Sequence, residues 1–484
     1  MSDTIARERA TAAWPYQRLS GSACQRLHEA AVTILRRTGV RLELPRAVEL
    51  LRDADCGVDD NGIVRIPPAL VEWALERAPR SFTMYDRDGE PAMVLDGSRT
   101  YYGPGSDCLH IIDHRTGERR RPTMADVAEG VGLADALGDI DFVMSMFLPA
   151  HVDERIADRH QFRAMLTGTR KPLVFVTYDA SGCRDAVAMA ELVAGGAEAL
   201  AAKPFLACYV NCSTGLLHNA DALEKLVMLA ERGLPVIYAP GSQAGVTGPA
   251  TPAGAVAVFW AGVLAGLVIA QLVREGTPFV AKGWGGGGLD MKTMVYGYAS
   301  PDQRATATAL ARHVGLPAFS LAGASDAKTV DQQAAAEAAL TLAVEALAGP
   351  DLVHDLGYLE SGLSGSLAQL AICDEMVAWL RHTGSPLDTG DEALALDVID
   401  EVGPDGQFLA ARHTARHCRE LYYPTIFERA TREAWTAAGG TTLAERAGRR
   451  VEELLAARPA PEPLACDHEL CTIVAAAERR AATG

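Results

Sequence analysis

The chain has 484 residues, 49% hydrophobic and 22% charged, a composition that buries a large core and is not that of a disordered protein. Its formal charge of −17 argues against a nucleic-acid partner, because an acidic surface repels a phosphate backbone. Ten cysteines without framework spacing read as reduced cytoplasmic thiols, and the N-terminus carries charges where a signal peptide has an apolar core.

Residues 1–97 read as a small α+β domain, with helices over 26–38 and 68–77 and short strands over 63–66 and 81–84. From residue 98 the pattern changes. Short runs rich in β-branched or aromatic residues recur at 99–103, 140–146, 173–178, 205–210, 235–239, 278–282, 317–321 and 351–356, each followed by a helical stretch. Strands alternating with helices imply right-handed βαβ crossovers and a parallel sheet. Eight such units is the count that closes a (β/α)₈ TIM barrel, here over residues 98–384.

Three local features punctuate that repeat. Residues 109–112 and 119–121 flank the turn His114-Arg115-Thr116-Gly117 as a hairpin, and Thr123 with Asp126 then starts a helix as a capping box. Ser300, with Pro301 and Gln303 behind it, reads as a second helix start. Between Arg232 and Arg274 there is no charged residue, and residues 253–273 are long and apolar enough to span a bilayer. That run falls where the repeat requires the helix after the fifth strand, and its alanines and glycines suit close packing. Burial in protein is therefore expected, no membrane, and a homo-oligomer interface there. After residue 384 the chain turns polar, and residues 385–484 read as a helical extension packed on the barrel.

A barrel carries its chemistry in the loops after its strands. After the fifth come Gly241, Gln243 and Gly245 in a small, uncharged, glycine-rich loop where a ligand can approach backbone N–H groups. It lacks the Gly-Lys-Ser/Thr ending of a nucleotide-binding P-loop. After the sixth come Lys282, Trp284, four glycines, Asp290 and Met291; after the seventh, Asp326 and Lys328; after the eighth, His354, Tyr358 and Glu360. Lys282 stands where a barrel lyase could form a Schiff base. His354 reads equally as a core histidine or a working one, with Asp351, Asp355 and Glu360 nearby. His413 and His417, at i and i+4 of one helix face, are of zinc-binding type, but no third ligand lies near in sequence and no metal is assigned.

The loops also carry a likeness. Thr116-Gly117-Glu118-Arg119-Arg120 with Thr123 and Asp126, Lys171-Pro172, and Gly245-Val246-Thr247-Gly248-Pro249 belong to it. So do Asp290-Met291 before Tyr296-Gly297, Ser325-Asp326-Ala327-Lys328, and Leu352-Val353-His354-Asp355-Leu356-Gly357-Tyr358. On these residues the chain resembles the trimethylamine methyltransferase family, the corrinoid-dependent amine methyltransferases. The resemblance implies methyl transfer from a methylated amine to Co(I) of a cobalamin carried by a separate corrinoid protein. Founding members carry pyrrolysine, whereas this chain has only the ordinary twenty residue types, so a quaternary, glycine betaine-like substrate is expected. Its cage would come from Trp284, Tyr296, Tyr298, Tyr102 and Phe147 by cation–π attraction. Asp326 and Lys328 would complete substrate binding, and His354 would act in the transfer. Gly241, Gln243, Gly245, Asp290 and Met291 would face the corrinoid. A lyase using Lys282, and a non-catalytic protein binding quaternary amines or a corrinoid, are the competing readings.

Overall fold

The computed structural model describes residues 18–282, 284–300, 304–460 and 462–483, leaving aside the side chains of residues 284–286. The expected helix start at Pro301 and Gln303, and the side chain of Trp284, lie outside what is described. The core is mixed α/β. Strands β1 (Tyr101–Pro104), β2 (Leu173–Phe175), β3 (Leu206–Asn211), β4 (Val236–Ala239), β5 (Phe279–Ala281), β6 (Phe319–Leu321) and β7 (Leu352–Leu356) are its parallel members. They form a four-stranded sheet, β5-β4-β3-β2, and a three-stranded sheet, β6-β7-β1. The two do not merge into one continuous ladder. Single parallel bridges link Ala281 to Ala318 and Val143 to Leu173, and Asp141 N–H donates to the Tyr102 carbonyl at 2.7 Å. The expected strand over 140–146 is reduced to these contacts, and Met146 at its end has a left-handed φ of +59°.

Strand periodicity decides what each run buries. In a strand, alternate side chains share a face. Tyr101, Phe142, Met144, Val174, Ala207, Ile237, Val280, Phe319 and Leu352 meet in one apolar cluster, at least one from each of the eight runs. A hairpin, Phe82–Tyr85 with Pro91–Leu95, adds Met84, Met93 and Leu95 to that cluster. The opposite faces of the strands, with the surrounding helices, form the larger core.

The Pro252–Val273 helix is covered by this chain itself. It packs against the N-terminal helices Gly21–Arg37, Pro45–Asp53 and Pro68–Arg77, and 16 of its 22 residues are buried. The N-terminal segment is also sewn to the centre, because Val40–Leu42 pairs in parallel with Leu217–His218. Burying this helix therefore requires neither lipid nor a second subunit. Its glycines set the approach: a Cβ on Gly262 would stand 2.3 Å from the Gly215 carbonyl oxygen, a backbone atom that cannot swing aside. Gly262→Ala is expected to destabilise the protein by roughly 1–3 kcal/mol, as overpacking does, read as a lowered denaturant midpoint.

At the other end, Leu443–Ala457 packs on Leu367–Gly384 and Met124–Ala136, and Asp467–Thr483 packs on Glu154–Gly168 and Ala180–Ala194. Residues 385–425, which follow the Leu367–Gly384 helix and precede the Leu443–Ala457 and Asp467–Thr483 helices, bury no side chain. The predicted hairpin is present as His110–Ile112 with Arg119–Arg120, and Thr123 and Asp126 form the predicted capping box.

Candidate active site

A cavity of about 510 Å³ opens where the parallel strands end. Its floor continues the inner apolar layer two residues further along six of the seven strands, β2 to β7. Val176 follows Val174, Tyr209 follows Ala207, Ala239 follows Ile237, Lys282 follows Val280, Leu321 follows Phe319 and His354 follows Leu352. The period of two thus delivers one residue from each of these six strands to the same space. Asn211, Cys212 and Ser213, Gly241 with Gln243 and Thr247, Tyr298, Asp107 and Tyr358 complete the wall.

Asp355 also lines the cavity, although a regular strand would turn it away from its neighbour His354. The pairing with β1 slips between Val353 and Leu356, and Asp355 has a left-handed φ of +73°. This bulge re-aims the carboxylate. Room for it exists because residue 105 is glycine: a Cβ there would lie 2.5 Å from Asp355 Oδ1 and 2.2 Å from the Tyr358 ring.

The charged centre is a buried chain of three groups. Lys282 Nζ is 3.0 Å from His354 Nε2, and His354 Nδ1 is 2.7 Å from Asp355 Oδ1, a contact too far off axis for a good hydrogen bond. The His354 ring stacks on Phe319 at 4.4 Å and meets Tyr209 edge-on at 5.5 Å. Burial pushes the Lys282 ammonium down to about 8; Asp355 and Glu345 pull it back up, and Arg304 opposes them. Burial also lowers His354, against the upward pull of Asp355. The arrangement that fits is a neutral imidazole accepting from Lys282 at Nε2, with its Nδ1–H toward Asp355. Lys282 Nζ also stands 5.2 Å from the Phe319 ring centre and 5.9 Å from that of Tyr209. Asp107, raised by burial, accepts a hydrogen bond from Gln161 at 2.9 Å.

Not all the residues singled out by sequence share this space. His354, Gly241, Gln243 and Tyr298 line it, as does Lys282. Asp326 instead ties loops together, accepting from the Tyr298 N–H at 3.0 Å and the Ser361 hydroxyl at 2.8 Å. Lys328 is exposed and donates to the Asp326 carbonyl. Tyr102 lies on the outer face of β1, with the Arg381 guanidinium 5.6 Å over its ring. Phe147 is buried in the outer core. Tyr296 sits edge-on to Tyr298 at 5.6 Å.

The residues expected to face a corrinoid gather in one place. Gly241–Ala244, Trp284–Asp290 and Val295–Tyr296 make a small three-stranded sheet, with Gly241 paired to Trp284. Gly245 and Met291 follow its strands directly, and a Cβ on Gly245 would stand 3.2 Å from Met291 Cε. Val246, Met291, Met294 and Val295 are exposed on it. Tyr209, Asp355 and Asp107 went unassigned from sequence; the signal for Tyr209 was its place two residues beyond an inward alanine.

A profile described as trimethylamine methyltransferase matches residues 3–482. The chain belongs to the trimethylamine methyltransferase family. It is 31% identical over 443 residues to the trimethylamine methyltransferase of Desulfitobacterium hafniense (strain DSM 10664 / DCB-2), covering 90% of this chain and 89% of that one. It is 30% identical over 447 residues to the glycine betaine methyltransferase of Desulfitobacterium hafniense (strain Y51), covering 91% and 92%. The monomethylamine methyltransferase structure from Methanosarcina barkeri covers 90% of this chain and 88% of its own, at 12% identity and a TM-score of 0.49. The chain is thus a methyltransferase. The family likeness noted in sequence divides in two here. Lys171 donates to the Ala134, Leu137 and Ile140 carbonyls, and Arg120 bridges Asp113 and Asp126, so these motifs fasten the fold. His354, Asp355 and Tyr358 line the cavity.

Proposed function

We propose that this methyltransferase takes a methyl group from a carboxylated quaternary amine of the glycine betaine type and passes it to a corrinoid held by a separate protein. The observation that carries the reading is that a buried lysine and three tyrosines line one cavity at the strand ends. A quaternary ammonium offers no N–H, so it is held by aromatic faces and a diffuse negative field. Tyr209, Tyr298 and Tyr358 supply the faces, and Asp355 and Asp107 the field. The Lys282 ammonium, aimed by His354, receives the carboxylate. The 30% identical glycine betaine methyltransferase agrees with this choice.

The Co(I) corrinoid supplies the nucleophile that accepts the methyl group. The residues present fit such a group: the cavity rim offers Gly241, Gln243 and Thr247, all uncharged, so a large neutral ring system meets no fixed charge there. The sheet carrying Gly245, Asp290 and Met291 would then receive the corrinoid protein on its exposed apolar side chains. What this chain contributes is alignment of the methyl group and exclusion of water. We also read the eight runs as one (β/α)₈ barrel over residues 98–384, between N-terminal residues 1–97 and a C-terminal extension 385–484. The two bridges and the shared inner cluster support that reading.

The test is a panel of betaines and methylamines offered with Co(I) cobalamin, followed by the visible spectrum of the cobalamin. Methylation with carboxylated quaternary amines, and none with trimethylamine, is expected; methylation with trimethylamine alone would overturn the substrate assignment. A lysine with a lowered pKa is also what a Schiff-base enzyme needs, so borohydride trapping with carbonyl compounds separates that second reading. For docking, Met291→Glu with Met294→Glu should slow transfer to the cognate corrinoid protein at least tenfold. Transfer to free cobalamin should be unchanged, and equal loss in both assays would place these methionines elsewhere in the mechanism.

A further inference from the structure

We propose that Glu392, His413 and His417 form a binding site for one divalent ion of the zinc type, outside the methyl-transfer cavity. Sequence offered two histidines one helical turn apart; folding supplies the third ligand. One nitrogen from each ring and one Glu392 carboxylate oxygen all lie within 4.8 Å of one another, the one such group of three among the described residues. The rings are 4.3 Å apart between centroids; His413 Nε2 lies 3.0 Å from the Glu392 backbone carbonyl oxygen, which it must leave to meet an ion, and His417 Nε2 faces the Glu392 carboxylate.

The donor set suits zinc, which takes imidazole and carboxylate in a tetrahedron with bonds near 2.0–2.2 Å. Neighbouring ligand atoms in such a site stand about 3.3 Å apart. His417 Nε2 is already 3.3 Å from Glu392 Oε1. The remaining separations must contract by up to about 1.5 Å, a rotamer-scale movement for an exposed Glu392 and two half-buried histidines. The second ring nitrogen of His417 is engaged as well: Nδ1 lies 2.8 and 2.9 Å from the two oxygens of Glu420. A carboxylate on the far nitrogen is what orients a metal-bound histidine and raises its basicity. A water would fill the fourth position.

Two charges work against the ion. Arg416 lies 2.8 Å from the same Glu392 oxygen and must release it. The second is a proton: both histidines bind an ion only as neutral imidazoles, so binding competes with protons and strengthens as pH rises. The location gives the ion something to do. Residues 385–425 bury no side chain, so a clip joining Glu392 to the 413–417 helix would replace cohesion that apolar packing does not provide there.

The experiment uses the full chain freed of metal by a chelator and then titrated with Zn²⁺ against a chromophoric chelator. One tight equivalent is expected in the parent protein and its loss in His413→Ala/His417→Ala. Glu420→Gln should weaken binding about tenfold, the usual size of an orienting-partner effect. Co²⁺ in place of Zn²⁺ should give intense visible bands of tetrahedral type that vanish in the double variant, and Zn²⁺ should slow proteolysis between residues 393 and 412. Both histidines are surface residues, so the double variant is expected to keep its circular dichroism. Equal affinity and stoichiometry in the parent and the double variant, or no stoichiometric binding by the parent, would overturn the site.

Discussion

Lys282→Met is expected to lower kcat/KM for a carboxylated quaternary amine by about 10- to 100-fold. The side chain is 1% exposed, so its ammonium is not dissipated into water. A hydrogen bond to a charged group is worth about 1.5–3 kcal/mol, and each 1.4 kcal/mol is a factor of ten. Methionine keeps the length and the apolar contacts with Phe319 and Tyr209, so what is lost is charge. The discriminating measurement is calorimetric binding of two ligands, a betaine and its methyl ester. Weakening confined to the betaine assigns Lys282 to the carboxylate. Equal weakening of both would mean that the lysine holds the cavity in shape, and unchanged binding of both would sink the assignment. Borohydride inertness of the parent protein belongs to the same set, since a Schiff-base lysine would also be silenced by methionine.

How much of this was legible in the sequence follows from strand parity. The positions of the runs could be read because β-branched and aromatic residues cluster there. Which face each residue takes could not, because a one-residue uncertainty in a strand reverses the answer. Tyr101 points into the inner cluster, so Tyr102 turns outward to Arg381. Phe142 and Met144 point inward, but the left-handed Met146 ends the alternation, and Met146 and Phe147 both fall in the outer core. His354 and Lys282, whose facing the sequence leaves open, both point inward and meet at 3.0 Å across 72 positions of sequence. Asp355 was illegible for a different reason. Its place in the wall depends on a bulge at a non-glycine residue with positive φ, which alternation cannot announce. The N-terminal segment was read as a unit of its own, whereas one strand of its sheet, Leu217–His218, comes from the middle of the chain. Such long-range pairing leaves no local signature.

Asp355→Asn separates the backbone role of this bulge from its charge. Asparagine tolerates the left-handed conformation, so the φ of +73° can persist and the side chain can still reach the cavity. What disappears is the negative charge that most strongly holds up the proton affinity of Lys282. The lysine should then fall further below about 8, and a betaine should lose its cation as the pH rises through a lower value than in the parent. KM for the betaine is therefore expected to begin rising near neutral pH in the variant and above about pH 8 in the parent, roughly tenfold per pH unit thereafter, as for any single essential proton. Stability should move in the opposite sense. In the unfolded chain a lysine titrates near 10.5, so between about 8 and 10.5 the unfolded state holds the extra proton and folding gains stability as pH rises. Below that window the buried charge is a standing cost. Each further unit by which the variant lowers Lys282 adds about 1.4 kcal/mol to that cost at neutral pH. Denaturant midpoints taken at pH 7 and pH 10 should thus differ more in Asp355→Asn than in the parent. A variant whose midpoint and KM shift equally at all pH values would show that Asp355 acts through the geometry of the bulge and not through its field on Lys282.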